Sequence, residues 1–214
     1  MSKPSVGVIG SGAVGQVLAA GFKKHGHAVT IGSRSVGKIA DWADGAGVVA
    51  GTFADAAEAG IVVLAVAGAA AEEAVDLAGH QRFAGKLVLD ATNPIAPGPP
   101  VNGILPYFTT PGHSLMQRLQ DRVPAAHFVK CFNSVGNAYM VNPTFSAGRP
   151  TMFICGNDAA AKAAATAILA TFGWSAEDVG GVEGAGPIEG LCQLWCAPGF
   201  LRNDWAHAFM VVRG

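Results

Sequence analysis

A glycine-rich turn near the start of the chain constrains the fold more than any other feature of the sequence. The apolar segment VGVI at residues 6–9 runs directly into GSGAVG at residues 10–15, which has the spacing Gly-x-Gly-x-x-Gly. In this pattern the three glycines allow a tight turn, the approach of a pyrophosphate to the backbone, and close packing of a helix on a strand. Residues 16–26 continue as a helix and residues 28–31 form a second strand. The sequence therefore predicts a strand-turn-helix-strand unit that binds a dinucleotide.

The end of the second predicted strand indicates which dinucleotide is bound. An NAD enzyme carries Asp or Glu here, about 20 residues beyond the glycines, to accept hydrogen bonds from the ribose 2′-hydroxyl. This chain instead has Ser33, Arg34 and Ser35, with Lys38 one helical turn further on. A guanidinium, an ammonium and a hydroxyl suit the 2′-phosphate of NADP. We expect NADP(H) as the cofactor; the alternative is a solvated basic turn.

Strands and helices alternate over most of the remaining chain. Residues 61–66 form a continuous apolar run typical of a central parallel strand that is covered on both faces, and residues 86–91 are predicted as the next strand of the sheet. Helical patterns separate them from further strands predicted over residues 47–51, 127–132 and 151–155. The predicted fold class is α/β, a Rossmann-type, doubly wound, mostly parallel sheet with a short C-terminal helical appendix.

The C-terminal part of the chain predicts a different organisation. Residues 180–190 contain five glycines and one proline, which indicates a linker. Beyond it, residues 191–213 are predicted to form one or two apolar helices rich in tryptophan and phenylalanine. We therefore predict an NADP-binding domain over residues 1–179, with residues 180–214 packed on it or on a dimer partner.

Small and polar residues follow the predicted strands at the edge where this fold binds ligands. The small side chains of Ala67, Gly68 and Ala69 would let the nicotinamide half of the cofactor pass, although a tight strand-to-helix turn would have the same residues. The candidate ligand contacts at this edge are Ala65, Val66 and Ala67, then Thr92, Asn93 and Pro94, and then Asn133 and Ser134. Residues 95–112 hold five prolines and two aromatics, which favours a lid next to the strand at 86–91. His113, which directly follows this segment, is a candidate substrate contact or proton donor.

These motifs resemble those of the F420-dependent NADP oxidoreductase family, which is related to the reductase domain of the STEAP metalloreductases. The resemblance rests on GSGAVG with Arg34 and Lys38, on DATNP at residues 90–94, and on VKCFNSV at residues 129–135. It implies hydride transfer between NADP(H) and a deazaflavin or flavin-like acceptor such as coenzyme F420. The implied cofactor contacts are Gly10, Ser11, Gly12, Ala13, Val14, Gly15, Ser33, Arg34, Lys38, Ala65, Val66, Ala67, Thr92, Asn93 and Pro94. The implied acceptor contacts are Asn133, Ser134 and Val135, with parts of residues 184–187 nearby.

The sequence contains no clear catalytic acid, base or nucleophile pattern. Hydride exchange between two stacked rings needs positioning and exclusion of water rather than a reacting side chain, which agrees with the resemblance. Two alternatives remain open. The first is an imine or ketone reductase, which would more often use a nearby proton donor and which usually has a longer helical domain after the sheet. The second is a sensor protein, which would bind NADPH without oxidising it.

Composition and net charge exclude several other classes of protein function. Charged residues make up 14% of the 214 residues and the net charge is −1, so nothing attracts nucleic acid or an anionic membrane. The four cysteines do not form a secreted framework or a zinc pattern. Residues 1–4 lead straight into the first strand without a targeting segment, so we expect a cytoplasmic protein. Low charge and the aromatic helices predicted beyond residue 190 favour a homodimer.

Overall fold

Six parallel strands form the central sheet of the protein, whose computed structural model describes residues 3–214. The strands are β1 (Val6–Ile9), β2 (Val29–Gly32), β3 (Val49–Gly51), β4 (Ile61–Leu64), β5 (Leu87–Asp90) and β6 (His127–Lys130). Their order is β3-β2-β1-β4-β5-β6, the order of a doubly wound dinucleotide-binding sheet. The predicted Rossmann-type fold is therefore confirmed.

Helices cover both faces of this sheet and create two cores. They are α1 (Ala13–Lys24), α2 (Val36–Ala46), α3 (Phe53–Ala57), α4 (Ala71–Ala78), α5 (Leu115–Arg122), α6 (Ala159–Thr171) and α7 (Ala185–Arg202). Val63 and Leu89 belong to the core under α1, α2 and α6, whereas Val62 and Val88 belong to the core under α3, α4, α5 and α7. Because consecutive strand residues point to opposite faces, continuous apolar runs are needed here.

A two-stranded parallel sheet extends the fold beyond β6. It consists of β7 (Thr151–Ile154) and β8 (Ser175–Asp178), and an antiparallel bridge between Lys130 and Cys155 connects it to β6. The polar sequence SAED gave no strand signal, so β8 was not predicted. The tail beyond α7 runs along this sheet, where Thr151 N donates to Phe209 O at 2.8 Å.

The structure corrects the prediction for the C-terminal region. Helix α7 begins at Ala185, inside the segment predicted as a linker, and it ends at Arg202. Its glycines do not prevent the helix, because Ile188, Cys192 and Trp195 are buried on one side of it. Residues 203–214 continue without helix, so the expectation of helix up to residue 213 is wrong.

The segment between β5 and α5 lacks regular structure, as predicted, but it is anchored. An antiparallel bridge joins Ile95 to Tyr107. The Tyr107 hydroxyl donates to Glu189 O at 2.7 Å, and Gln193 Nε2 donates to Leu105 O at 2.6 Å. These contacts hold the segment against α7, and whether it acts as a lid stays a prediction.

Within residues 3–214, no helix combines the length and apolar character needed to cross a membrane. The prediction that no targeting segment precedes β1 concerns in part residues 1–2, which lie outside the described residues.

Candidate active site

The glycine turn after β1 has the geometry that its spacing predicts. Gly10 has φ of +122°, and a Cβ there would lie 2.4 Å from Ala65 O. A Cβ on Gly15 would lie 1.9 Å from Gly10 O, so only glycine lets α1 pack this closely on the turn. A Cβ on Gly12 would meet nothing within 4 Å. The fold therefore requires Gly10 and Gly15, whereas Gly12 leaves bare backbone facing open space at the start of α1.

The turn after β2 contains a buried serine that makes structural hydrogen bonds and an exposed arginine, and an exposed lysine follows it in α2. The buried Ser33 hydroxyl accepts from Ser11 Oγ at 3.0 Å and from Ser35 N at 3.1 Å. Arg34 is 67% exposed and lies 3.9 Å from Glu73, which is 63% exposed. Lys38 is exposed in the first turn of α2. Ser33 thus holds two loops together, while Arg34 and Lys38 present positive charge to solvent.

Two clefts meet at the carboxyl ends of β1, β4 and β5. The first, which we name the turn cleft, has a volume of about 220 Å³ and extends from Gly10 to Arg34 and Glu73. The second, the edge cleft, has a volume of about 310 Å³ and extends from Ala13 to Asn93 and Ile95. Both are lined by Gly12, Ala65, Val66 and Ala67. Of the residues predicted to contact the cofactor, those that line either cleft are Gly10, Ser11, Gly12, Ala13, Val14, Arg34, Ala65, Val66, Ala67 and Asn93.

The polar side chains of Thr92 and Asn93, which follow β5, make hydrogen bonds to other residues of the protein. The buried Thr92 hydroxyl donates to Asp90 Oδ1 at 2.7 Å, so it points into the protein. Asn93 Nδ2 donates to Asn133 O at 2.8 Å, and Asn133 Nδ2 donates back to Asn93 Oδ1 at 2.9 Å. This pair joins the loops after β5 and β6. The structure therefore brings together the two asparagines that the sequence placed at the same edge.

Asn133 has one group that the protein leaves without a partner. Its Nδ2 also donates to Ile188 O at 3.0 Å, and the residue is 4% exposed. Its Oδ1 is buried and accepts no hydrogen bond in the described structure. An unsatisfied buried acceptor is costly and is commonly a site where a ligand or water donates. Ser134 and Val135 are buried beside it, and their predicted contact with the acceptor stays a prediction.

A buried ionic cluster supports this edge of the sheet. Lys130 Nζ lies 2.7 Å from Asp90 Oδ2 and 3.0 Å from Glu189 Oε1, and it donates to Thr92 O at 2.9 Å. Burial alone would lower the pKa of Lys130, but the two carboxylates outweigh it and raise this pKa above its usual value. The Glu189 carboxylate also accepts from Leu115 N and Met116 N, both at 3.0 Å, at the start of α5. The cluster thus fixes β5, β6, α5 and α7 relative to one another.

Sequence reasoning did not identify this cluster. Asp90 and Lys130 each end an apolar strand, and a charge in such a position was the available signal. Glu189 lay within the predicted linker and gave no signal.

His113 lies away from the cofactor clefts. It lines a third cleft, the outer cleft, together with Tyr107 and Glu183. Across residues 3–214, no group of three or more His, Cys, Asp and Glu residues could hold a metal ion.

Comparison with known proteins agrees with this geometry. The profile of the family described as "NADP oxidoreductase coenzyme F420-dependent" matches residues 5–94. The chain is similar to a structure from Arthrobacter sp. FB24 described as an F420-dependent NADP-reductase, with 30% identity and a TM-score of 0.92; 99% of this chain and 100% of that chain are covered. A hypothetical protein, SMa0349 from Sinorhizobium meliloti, shows 27% identity and a TM-score of 0.74, covering 88% of this chain and 90% of that chain.

More distant structures share the fold alone. A reductive aminase from Aspergillus terreus in complex with NADPH and ethyl levulinate has 20% identity and a TM-score of 0.66. This likeness covers 94% of our chain but 63% of the aminase.

The fold and the glycine turn define a dinucleotide-binding protein. The chain belongs to the F420-dependent NADP oxidoreductase family, which confirms the resemblance stated from its motifs. It is thus a member of a family of NADP-dependent enzymes.

Proposed function

We propose that the protein transfers hydride between NADP(H) and a deazaflavin or flavin-like acceptor such as coenzyme F420. The observation that carries this proposal is that two clefts share the glycine turn, one reaching the exposed Arg34 with its weak partner Glu73 and the other having uncharged walls only. The turn cleft reaches Arg34, and the edge cleft is lined by Ala, Gly, Val, Ile and Asn residues only. Such a gradient suits a cofactor with a phosphate at one end and a nicotinamide at the other.

The phosphates bind at the first of these clefts in our proposal. The bare backbone at Gly12 and the free N–H groups at the start of α1 receive the pyrophosphate, since a helix N-terminus favours negative charge. Arg34 and Lys38 bind the 2′-phosphate, and Arg34 exchanges its weak contact with Glu73 for it. Ser33 positions Arg34 by fixing the turn on either side of it.

The nicotinamide half occupies the edge cleft. The small residues Ala65 and Ala67 give it room, and Asn93 is held in place there by Asn133. Thr92 contributes through its backbone and its bond to Asp90 rather than through contact with the cofactor. Pro94 stiffens the chain as it leaves β5.

The acceptor ring lies against the nicotinamide in this scheme, near Asn133, Ser134 and Val135. The unsatisfied Asn133 Oδ1 supports this assignment, because a ring N–H or hydroxyl of the acceptor would provide its missing donor. No ionisable side chain lines the edge cleft. The bound acceptor supplies the redox chemistry, and the protein aligns the two rings and excludes water.

Steady-state oxidation of NADPH with coenzyme F420, FMN and FAD as separate acceptors tests this proposal. We expect turnover with at least one of them and a preference for NADPH over NADH. Tight binding of NADPH without oxidation by any of the three would reject it and favour a sensor or a reductase of small carbonyl compounds.

We also propose a homodimer in the cytoplasm, built on the exposed apolar residues of α7. Leu194 and Leu201 are 58% and 61% exposed, and they lie seven residues apart on one face of α7. Contiguous apolar patches of this kind mark interaction surfaces. Light scattering at micromolar concentration should give twice the monomer mass, and Leu194→Glu should halve it. A monomeric wild-type protein would contradict the dimer.

A further inference from the structure

The wall of the turn cleft that faces Arg34 carries a negative charge. Glu73 lies in the first turn of α4, and its carboxylate Oε2 is 3.9 Å from Arg34 Nη1. These two are the only charged residues in the lining of the cleft, all of which belongs to the described part of the chain. The end of β2 has no acid in the sequence, but the fold brings a carboxylate from α4 to the same arginine. The formal charges of the cleft lining therefore cancel.

Glu73 belongs to the side of α4 that borders the cleft. The residues of this side are spaced three or four apart, as expected for one face of a helix. Those that line the cleft are Ala70, Glu73, Ala74 and Leu77. A phosphate bound by Arg34 thus lies in a cleft whose opposite wall carries Glu73.

The neighbouring acid, Glu72, faces a different part of the protein. Its carboxylate lies 2.6 Å from Arg118 Nη2 and 3.7 Å from Arg122 Nη1, both in α5, and it does not line the cleft. Both acids stabilise the start of α4, because negative charge is favourable at a helix N-terminus. Helix stabilisation therefore accounts for either acid, but Glu73 also faces the cofactor cleft.

Glu73 affects phosphate binding by Arg34 in two opposite ways, by holding the guanidinium in place and by repelling the phosphate. The first effect is small, because the side chains are 67% and 63% exposed and are too far apart at 3.9 Å for a hydrogen bond. The second effect is larger, since a phosphate monoester carries a charge of about −1.5 to −2. When bound to Arg34 it comes within about 8 Å of the carboxylate, the Debye length at physiological salt. Repulsion therefore outweighs the ordering of Arg34.

We propose that Glu73 is a specificity-determining residue that lowers the preference of the protein for NADPH over NADH. Its carboxylate opposes the 2′-phosphate, which NADPH carries, and has no such effect on the uncharged 2′-hydroxyl of NADH. This inference rests on the proposed binding of NADP(H) and identifies a residue that limits the discrimination between the two cofactors. The preference is set by Arg34 and Glu73 together rather than by Arg34 alone.

Fluorescence titrations of the full chain with NADPH and with NADH test this role in the variant Glu73→Gln, which removes the charge and keeps the size of the side chain. We expect the Kd for NADPH to fall about 3- to 10-fold, the Coulombic scale for these charges in a solvated site. The Kd for NADH should change by less than about twofold. The gain for NADPH should shrink when KCl is raised from about 0.05 M to about 0.5 M, because salt screens exposed charges. Unchanged or weaker binding of NADPH would overturn the proposal.

Glu72→Gln is the matched control, because it removes the same charge from the same helix turn without facing the cleft. We expect its Kd for NADPH to stay within about twofold of the wild type, with circular dichroism confirming that both variants fold. An equal gain in both variants would refute a specific role of Glu73. A wild-type protein that binds NADPH no more tightly than NADH would reject the cofactor proposal and this inference together. A wild-type preference for NADPH that Glu73→Gln leaves unchanged would reject this inference alone.

Discussion

Gly12 and Gly15 lie three residues apart in the same turn, and the structure predicts opposite consequences for the same substitution. Gly12→Ala places a methyl group where nothing lies within 4 Å, and the backbone there, with φ of −75° and ψ of −176°, suits any residue. Alanine is a poorer N-cap than glycine, which destabilises the folded state by about 0.5–1 kcal/mol. Alanine also lowers the conformational entropy of the unfolded chain, which stabilises the fold by about 0.4–1 kcal/mol. The free energy of unfolding should therefore change by less than about 0.5 kcal/mol.

Gly15→Ala places its methyl group 1.9 Å from Gly10 O, so α1 must move away from the turn by more than about 1 Å. Overpacking of this kind costs about 1–3 kcal/mol or more. For a chain of this size, that lowers the Tm by about 2–12 °C, whereas Gly12→Ala shifts it by less than about 2 °C.

Gly12→Ala should weaken NADPH binding, even though it leaves the stability of the fold nearly unchanged. If the pyrophosphate lies on the bare backbone at Gly12, the added methyl removes a charge-assisted hydrogen bond worth about 1.5–3 kcal/mol, a loss of about 10- to 150-fold in Kd. Urea denaturation and a fluorescence titration with NADPH measure both quantities. A folded Gly12→Ala variant that binds NADPH as tightly as the wild type would refute the assignment of the phosphates to this turn.

Three further perturbations test other parts of the account. Arg34→Ala should weaken NADPH binding by about 1–3 kcal/mol and leave NADH unchanged, and equal losses in the two titrations would mean that the 2′-phosphate binds elsewhere. Lys130→Met should lower the free energy of unfolding by about 3–5 kcal/mol, because it leaves two buried carboxylates unpaired, and adding Glu189→Gln should restore part of it in denaturant titrations. Hydrogen bonds from Arg122 and His80 lower the pKa of Asp76 to about 2 from 3.8, so this half-exposed carboxylate stabilises the fold above pH 4. Asp76→Asn should cost less than about 1 kcal/mol at pH 7, and the difference from the wild type should shrink as the pH falls from 4 towards 2 and disappear below 2 in acid unfolding curves; an undiminished difference at pH 2 would contradict this.

The central sheet and the cofactor turn were predictable because local patterns determine them. Apolar runs such as residues 61–66 identify buried parallel strands, and the spacing of Gly10, Gly12 and Gly15 identifies the turn without tertiary information. The sequence also placed Asn93 and Asn133 at one edge, since both follow strands of a parallel sheet.

The rest of the site depends on contacts between distant segments. Glu189 lies in a glycine-rich stretch whose helical state comes from packing against α5 and the loop at Tyr107, and local propensity argues against a helix there. The strand β8 likewise forms because β7 offers a partner, and its own sequence is polar. The outer cleft exists only once α7 and the loop before α5 are brought together, so no sequence pattern could reveal it.

Transfer of deuterium from NADPH labelled at C4 of the nicotinamide to oxidised coenzyme F420 tests the central claim most directly. The two labelled epimers are supplied separately with the purified protein, and the reduced deazaflavin is analysed by mass spectrometry. We predict that one epimer delivers its deuterium to a carbon of the deazaflavin, because the protein aligns two rings in contact and shields them from water. Reduced coenzyme without deuterium from either epimer, or no reduction at all, would contradict direct hydride transfer to this acceptor.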